Sequence, residues 1–265
     1  MDHQSVLSHP LFTLVSSYHK PFPVPDLNFI KPIHAGKAVA KNILNLEGDN
    51  TGDNISTENP YFSELTVMYY IWKNYNKEQL PYWGMCHYRR YFTTHLDFPG
   101  YKSIYYIEKP EKAFKKIFTP KLVNKIDHKL ENGYVIVPSR YWFIKLKKWS
   151  VKKQYIKDHD EASWNATEKA IKEFYPEYMD SCNEVMNGLS CSWYNMMIAS
   201  WQFWDEYLTW LFKILFDVRK TLESQSAPAA LRIYGNISER LLNVYLHHKK
   251  KDGQKVYYMP VVNIS

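Results

Sequence analysis

Cysteine is nearly missing from this chain: Cys86, Cys182 and Cys191 are the three found in 265 residues. An odd, widely spaced set supplies neither a disulfide framework nor the ligand spacing of a zinc site, and it suits a reducing cytoplasm. The N-terminus lacks a charged stretch followed by an apolar run, so no secretory signal is read. Long apolar runs are lacking as well. The longest apolar pattern, 201–218, is interrupted by Gln202, Asp205, Glu206 and Lys213, which argues against a transmembrane span and leaves peripheral membrane contact. Glycine is scarce, with nine residues, and the glycine motifs of phosphate binding do not occur. No Gly-Lys-Ser/Thr follows the polar loop at 48–56 and no Rossmann glycine set is present. Neither Gly-X-Ser-X-Gly nor His-Glu-X-X-His appears.

What the chain does have is aromatic and basic. Aromatic residues make up 17% of it, with 22 Tyr and 9 Trp. They fill cores first, and the surplus suits stacking on sugars or bases. The formal charge of +7 favours anionic partners: nucleic acid, a membrane surface or phosphorylated substrates. Much of the excess is local. Lys145, Lys147, Lys148, Lys152 and Lys153 cluster with Trp142, Phe143 and Trp149, and Lys249, Lys250, Lys251 and Lys255 lie near the end. Lysines interleaved with aromatics can sit at a lipid headgroup layer; a solvated face is the plainer reading.

Strands alternating with helices indicate a single α/β domain over 1–265. Residues 11–19 read as a buried strand with a polar exit at His19 and Lys20, and in open α/β sheets ligands gather where strands end. Asn59 reads as a helix N-cap with Pro60 at the first helical position. Leu65, Met68, Tyr69 and Trp72 follow at i, i+3, i+4 and i+7. Further strands are expected at 82–88, running into Arg89 and Arg90, and at 134–138, 194–199 and 256–260. Helices are expected over 151–188 with Pro176 as punctuation, over 201–223 and over 237–248, with a loop at 224–228.

Four polar clusters could carry chemistry. Gly48-Asp49-Asn50-Thr51-Gly52-Asp53-Asn54-Ile55-Ser56 can turn tightly and offer N–H groups and short side chains to a ligand, or be a turn and cap for its own sake. His87, Tyr88, Arg89 and Arg90 stand at a strand exit, where paired guanidinium groups can clamp a diphosphate or form structural ion pairs. Arg232 and Arg240 are further cations for that task. Glu239 is a candidate base for an attacking hydroxyl. With Asn236 as N-cap it would also occupy the capping-box position. Asp158-His159-Asp160-Glu161 could bind metal, but its charged helical setting favours a solvated face.

In this order the segments resemble a bacterial family of capsular and exopolysaccharide gene clusters. It was long catalogued as a domain of unknown function, and some members are described as β-1,3-galactofuranosyltransferases of GT-A-like fold. The resemblance rests on His19-Lys20, on Pro32-Ile33-His34-Ala35-Gly36-Lys37-Ala38 and on the 48–56 loop. It continues through Asn59-Pro60 with Glu64-Leu65-Thr66, Trp72-Lys73-Asn74 and His87-Tyr88-Arg89-Arg90-Tyr91-Phe92. It ends with Tyr207-Leu208, Trp210-Leu211-Phe212 and Ser238-Glu239-Arg240-Leu241-Leu242-Asn243.

The resemblance implies an α/β, GT-A-like nucleotide-diphospho-sugar transferase fold: a mixed sheet flanked by helices, with helical additions. It implies inverting transfer from a UDP-sugar donor, UDP-galactofuranose first, onto a lipid-linked oligosaccharide acceptor of capsular polysaccharide, exopolysaccharide or O-antigen. The work would be done in the cytoplasm, peripheral to the inner membrane. Glu239 would be the base. His19, Lys20, Asp53, Asn54, His87, Tyr88, Arg89, Arg90, Arg232 and Arg240 would lie on the donor side, and Trp193, Tyr194 and Asn195 on the acceptor side. No Asp-X-Asp triplet follows an apolar strand, where metal-dependent glycosyltransferases hold their ion, so no cofactor is expected and Mn or Mg is disfavoured. The rivals are a hexosyltransferase using another UDP-sugar such as UDP-galactopyranose, and a non-catalytic glycan- or RNA-binding module. No RNA-recognition motif is present, and no nucleic-acid partner is expected.

Overall fold

Strand β1 (Thr13–Tyr18) is buried almost throughout, which its unbroken run of apolar and small residues permits in a strand covered on both faces. The computed structural model describes residues 9–94, 104–106, 109–142, 149–224 and 230–265. Phe143, Lys145, Lys147 and Lys148 of the basic aromatic cluster, and 225–228 of the expected loop, lie outside the described residues.

Strand β2 (Ile30–His34) runs parallel to β1 on one side and carries the short β3 (Glu47–Gly48) on its outer edge. β4 (Tyr82–His87) runs parallel to β1 on the other side, with His87 opposite Ser17. The chain then turns back antiparallel into β5 (Arg90–Phe92) and continues through β6 (Ile104–Tyr106) and β7 (Tyr134–Pro138). β8 (Tyr141–Trp142) and β9 (Ser190–Cys191) form a separate antiparallel pair. β10 (Met197–Ser200) lies antiparallel between β4 and β7. β11 (Lys255–Met259) closes the main path, which runs β11-β7-β10-β4-β1-β2-β3. β12 (Val261–Ile264), a strand the sequence reading did not anticipate, pairs with β5 and β6.

The helices are α1 (Asn59–Phe62), α2 (Leu65–Asn74), α3 (Pro110–Ile117), α4 (Pro120–Glu131), α5 (Val151–Asp158), α6 (Glu161–Phe174), α7 (Met179–Asn187), α8 (Trp201–Ser224) and α9 (Ile233–Lys251). Asp160 separates α5 from α6 because its side chain caps the Ser163 N–H. Along α8, Phe203, Trp204, Tyr207, Leu208, Leu211, Leu215 and Val218 form one buried stripe. Trp204 seats that helix on the sheet: its ring stacks on Trp83 at 4.0 Å and its Nε1–H donates to the Trp83 carbonyl at 2.8 Å. No helix among the described residues is long and apolar enough to cross a membrane.

Three local expectations need correction. Asn59 is not an N-cap. It lies inside α1, and its Nδ2 donates to Ser63 O and Thr66 Oγ1, stitching α1 to α2 across a break where Ser63 has φ 53°. The strand expected at 194–199 begins only at Met197, because Tyr194 and Asn195 have left-handed backbones (φ 76° and 51°) that no strand accommodates. Helix α9 starts four residues earlier than expected. Arg232, itself left-handed at φ 65°, donates its N–H to Pro60 O and launches the helix. Asn236 and Glu239 therefore sit inside α9, and the capping box does not form. Gly235, a poor helix former, lets α9 approach the α1–α2 break: a Cβ there would lie 3.2 Å from Ser63 Oγ.

Candidate active site

One edge of the sheet collects the polar clusters. β1 and β4 are parallel neighbours, so His19-Lys20 and the segment from His87 to Arg90 leave the sheet on the same side. β10 runs the other way, so its preceding turn, Trp193 to Asn195, arrives at that edge too. The first turns of α9 add Arg232, Asn236 and Glu239. Two clefts open there, of about 700 Å³ and about 420 Å³. Glu64, His87, Arg90 and Arg232 border both, forming a partition.

The smaller cleft is cationic. His19, Lys20, Tyr88 and Arg89 join the partition residues around it. Among the described residues, none of Lys20, Arg89, Arg90 and Arg232 forms an ion pair. The Nε atoms of Arg89 and Arg90 are buried without a hydrogen-bond partner. Arg89 lies over the Tyr88 ring at 5.5 Å and Arg90 over the Tyr194 ring at 4.7 Å. Both histidines are held neutral. Partial burial of a ring that still reaches solvent, then the neighbouring Lys20, His87, Arg232 and Arg89, brings His19 down to about 4. Burial, then Arg90, brings His87 down to about 4. His87 Nε2 lies 2.7 Å from the Tyr194 carbonyl, which can only accept, so the proton is on Nε2 and Nδ1 is left as an acceptor.

The larger cleft is aromatic and amphoteric. Tyr141, Trp149, Trp193 and Tyr194 line it together with Glu239, Asp158 and His159. Glu239 Oε1 accepts from the Tyr194 N–H at 2.9 Å, and Oε2 pairs with Arg240 at 3.1 Å. Arg240 is buried between Trp193 (4.6 Å) and Tyr155 (5.1 Å), and it donates to Asn236 O and Gln154 Oε1. His159 is shifted down by burial and then by Arg240.

The turn at 193–195 ties the halves together. Tyr194 gives its N–H to Glu239, its carbonyl to His87 and its ring face to Arg90. Asn195 donates to Glu64 Oε1 (2.8 Å) and Gly235 O (3.0 Å), and accepts from Ser238 Oγ (2.8 Å). Two successive left-handed non-glycine residues cost of order 1–3 kcal/mol each, and these bonds over-determine the conformation.

The structure thus brings His19, Lys20, His87, Tyr88, Arg89, Arg90, Arg232, Trp193, Tyr194 and Glu239 to the two clefts. Four expected residues go elsewhere. Asp53 and Asn54 border neither cleft; the Asp53 N–H and carbonyl bind the Asn74 side chain, and Asn54 Oδ1 accepts from the Ser56 N–H. Arg240 lies in the larger cleft behind Glu239, not on the cationic side, since eight residues of α9 put it about 12 Å along the axis from Arg232. Asn195 is buried behind Glu64 and lines neither cleft. Asp158 and His159, read as a solvated face, do border the larger cleft. Glu64, Tyr141 and Gln154 were assigned no role from the sequence, Asn236 only that of an N-cap and Trp149 only a place in the basic aromatic cluster. The signal available for Glu64 was its place in the resembling segment Glu64-Leu65-Thr66, as an acid directly ahead of the apolar helical pattern, which has an ordinary explanation at a helix start. Among the described residues no three His, Cys, Asp or Glu side chains gather as a metal ion would require.

The profile of the family described as "Domain of unknown function (DUF4422)" matches residues 13–251. The apo structure of WbbM, a bifunctional glycosyltransferase, superposes with a TM-score of 0.84 at 27% identity, covering 96% of this chain and 45% of that one. The chain thus spans less than half the length of that protein. The likeness fits the GT-A-like α/β fold expected from the sequence, a mixed sheet flanked by helices. No curated protein matches the chain.

Proposed function

The chain belongs to the DUF4422 family, and from that premise we propose that it is an inverting glycosyltransferase that moves a sugar from a UDP donor onto a glycan acceptor. The observation that carries this reading is the convergence, across one partition, of a cluster of unpaired cations and an aromatic cleft holding Glu239. The likeness to WbbM supports the reaction class.

In this reading the diphosphate occupies the smaller cleft. Lys20, Arg89, Arg90 and Arg232 neutralise the charge that grows on UDP as the glycosidic bond breaks. The acceptor lies in the larger cleft, which Tyr141, Trp149, Trp193 and Tyr194 line, aromatic side chains of the kind that pack against sugars. Glu239 takes the proton of the attacking hydroxyl. Because the cations stand where a metal would otherwise act, chelator is expected to leave turnover intact. UDP-galactofuranose is the favoured donor, and inversion of its α linkage gives a β product. The acceptor is a lipid-linked oligosaccharide of surface-polysaccharide synthesis, met at the cytoplasmic face of the inner membrane. Trp149, with Lys157 Nζ 4.2 Å from its ring centre, supplies a basic aromatic patch in the lining of the larger cleft.

The test is UDP release across a panel of nucleotide sugars with oligosaccharide acceptors, followed by NMR of the product anomer. Release with UDP-galactofuranose and a β product is expected. Release with another hexose alone would replace the donor, and binding without release would replace the reaction.

A further inference from the structure

The reaction as described gives no task to Glu64, a carboxylate in the partition itself. We infer that Glu64 is a second catalytic carboxylate, which faces the anomeric carbon of the donor sugar and stabilises the positive charge that builds there as UDP departs. This rests on the glycosyl-transfer reading of the site.

The placement follows from the two clefts. The anomeric carbon is bonded to a diphosphate held on one side and attacked by a hydroxyl from the other. It must therefore sit at the boundary, which Glu64, His87, Arg90 and Arg232 share. Of those four, Glu64 alone can carry negative charge. Its orientation is fixed. Oε1 accepts from Asn195 Nδ2 at 2.8 Å, and Asn195 is itself pinned by Ser238 Oγ and Gly235 O. Gly235 permits the close approach of α9 that makes this network reach Glu64.

The energetics point the same way. Burial raises the Glu64 carboxyl, against the Asn195 bond and the charges of Arg232 and Arg90. Part-buried between the clefts, its anionic form is solvated less fully than a free carboxylate and leans on Asn195, Arg232 and Arg90. A cationic centre developing beside it relieves that cost in the transition state more than in the ground state, which is the condition for accelerating the chemical step. The step balances without a proton on Glu64. The C1–O bond to the β-phosphate breaks and its electron pair stays on UDP. The acceptor oxygen forms the new bond to C1, and its proton passes to Glu239.

The test is Glu64→Gln, which keeps an acceptor for Asn195 and the side-chain shape but deletes the charge, set beside Glu64→Asp, which keeps the charge. In Glu64→Gln, kcat is expected to fall about 100-fold, while UDP affinity by calorimetry stays within about threefold. Glu64→Asp is expected to retain more of kcat than Glu64→Gln. The role is overturned if kcat of Glu64→Gln stays within about threefold of wild type, if the two variants lose kcat equally, or if the loss lies wholly in donor KM and UDP affinity. An active wild type with an active Glu64→Gln removes the role of Glu64 alone. A wild type that releases UDP from no donor removes the transfer reading, and this role with it.

Discussion

The loop at 48–56 and the turn at 193–195 carry similar polar traffic and point it in opposite directions. In the loop, Asp49 is fully buried and accepts from the Gly36 and Lys37 N–H groups and from the Ser56 and Thr66 hydroxyls. Its bonds close on the fold, joining β2, the loop and α2. In the turn, Tyr194 and Asn195 connect His87, Arg90, Glu239 and Glu64, the groups that line the clefts. One cluster holds the scaffold and the other holds the chemistry. Both lie at the same end of the strands, and the difference is lateral: the loop follows β3 at the outer margin of the sheet, whereas the turn leads into β10 beside β4.

Breaking the turn's side of that contrast is expected to give the largest effect. Glu239→Gln should reduce transfer by the folded protein about 1,000-fold while UDP affinity stays near wild type, as kcat measurements and calorimetry would show; leaving buried Arg240 without its carboxylate should also cost about 3 kcal/mol in stability. A fully active variant would move the base elsewhere. On the loop's side, Asp49→Ala leaves buried donors without an acceptor and is expected to cost about 3 kcal/mol or more in urea unfolding. The specific activity of the folded fraction should be unchanged. Lost catalysis in folded Asp49→Ala protein would blur the distinction between scaffold and site.

A third expectation concerns pH. The folded state holds His87 at about 4, below the ordinary value of about 6.5. The unfolded chain therefore takes up the proton first as pH falls. Stability is full above about 6.5 and declines toward 4, by up to about 3 kcal/mol for this residue. Melting curves of His87→Gln should lack that share of the acid slope. An unchanged slope would assign it to other groups. The smallest effects come from a pair of exposed side chains. Lys20→Ala should raise the donor KM about 10-fold, whereas Asp53→Ala should leave kinetics intact and alter stability by less than about 0.5 kcal/mol. Equal kinetic losses in both would return the 48–56 loop to the donor site.

Much of the scaffold was legible because its signals are local. The apolar run of β4, the proline stop of β7 and the stripe of α8 each state their own structure. His19, Lys20, Arg89 and Arg90 were legible as a group because strand exits in an α/β sheet share an edge. What escaped depends on contacts distant in sequence. The early start of α9 needs the Arg232–Pro60 bond, and the left-handed Tyr194 and Asn195 need Glu239, His87 and Ser238 to hold them. Glu64 escaped because an acid at a helix start has an ordinary explanation. Its place in the partition exists only once Gly235 has brought α9 against the α1–α2 break.

The central claim is that the cationic cleft seats the diphosphate and the aromatic cleft seats the acceptor. A crystal structure with bound UDP tests it most directly. Both phosphates are expected in the smaller cleft, within hydrogen-bond reach of Lys20 or Arg89 and of Arg90 or Arg232, with the larger cleft left open beside Glu239. Phosphates lodged in the larger cleft against Arg240 and Trp149, or bound away from both, would contradict it.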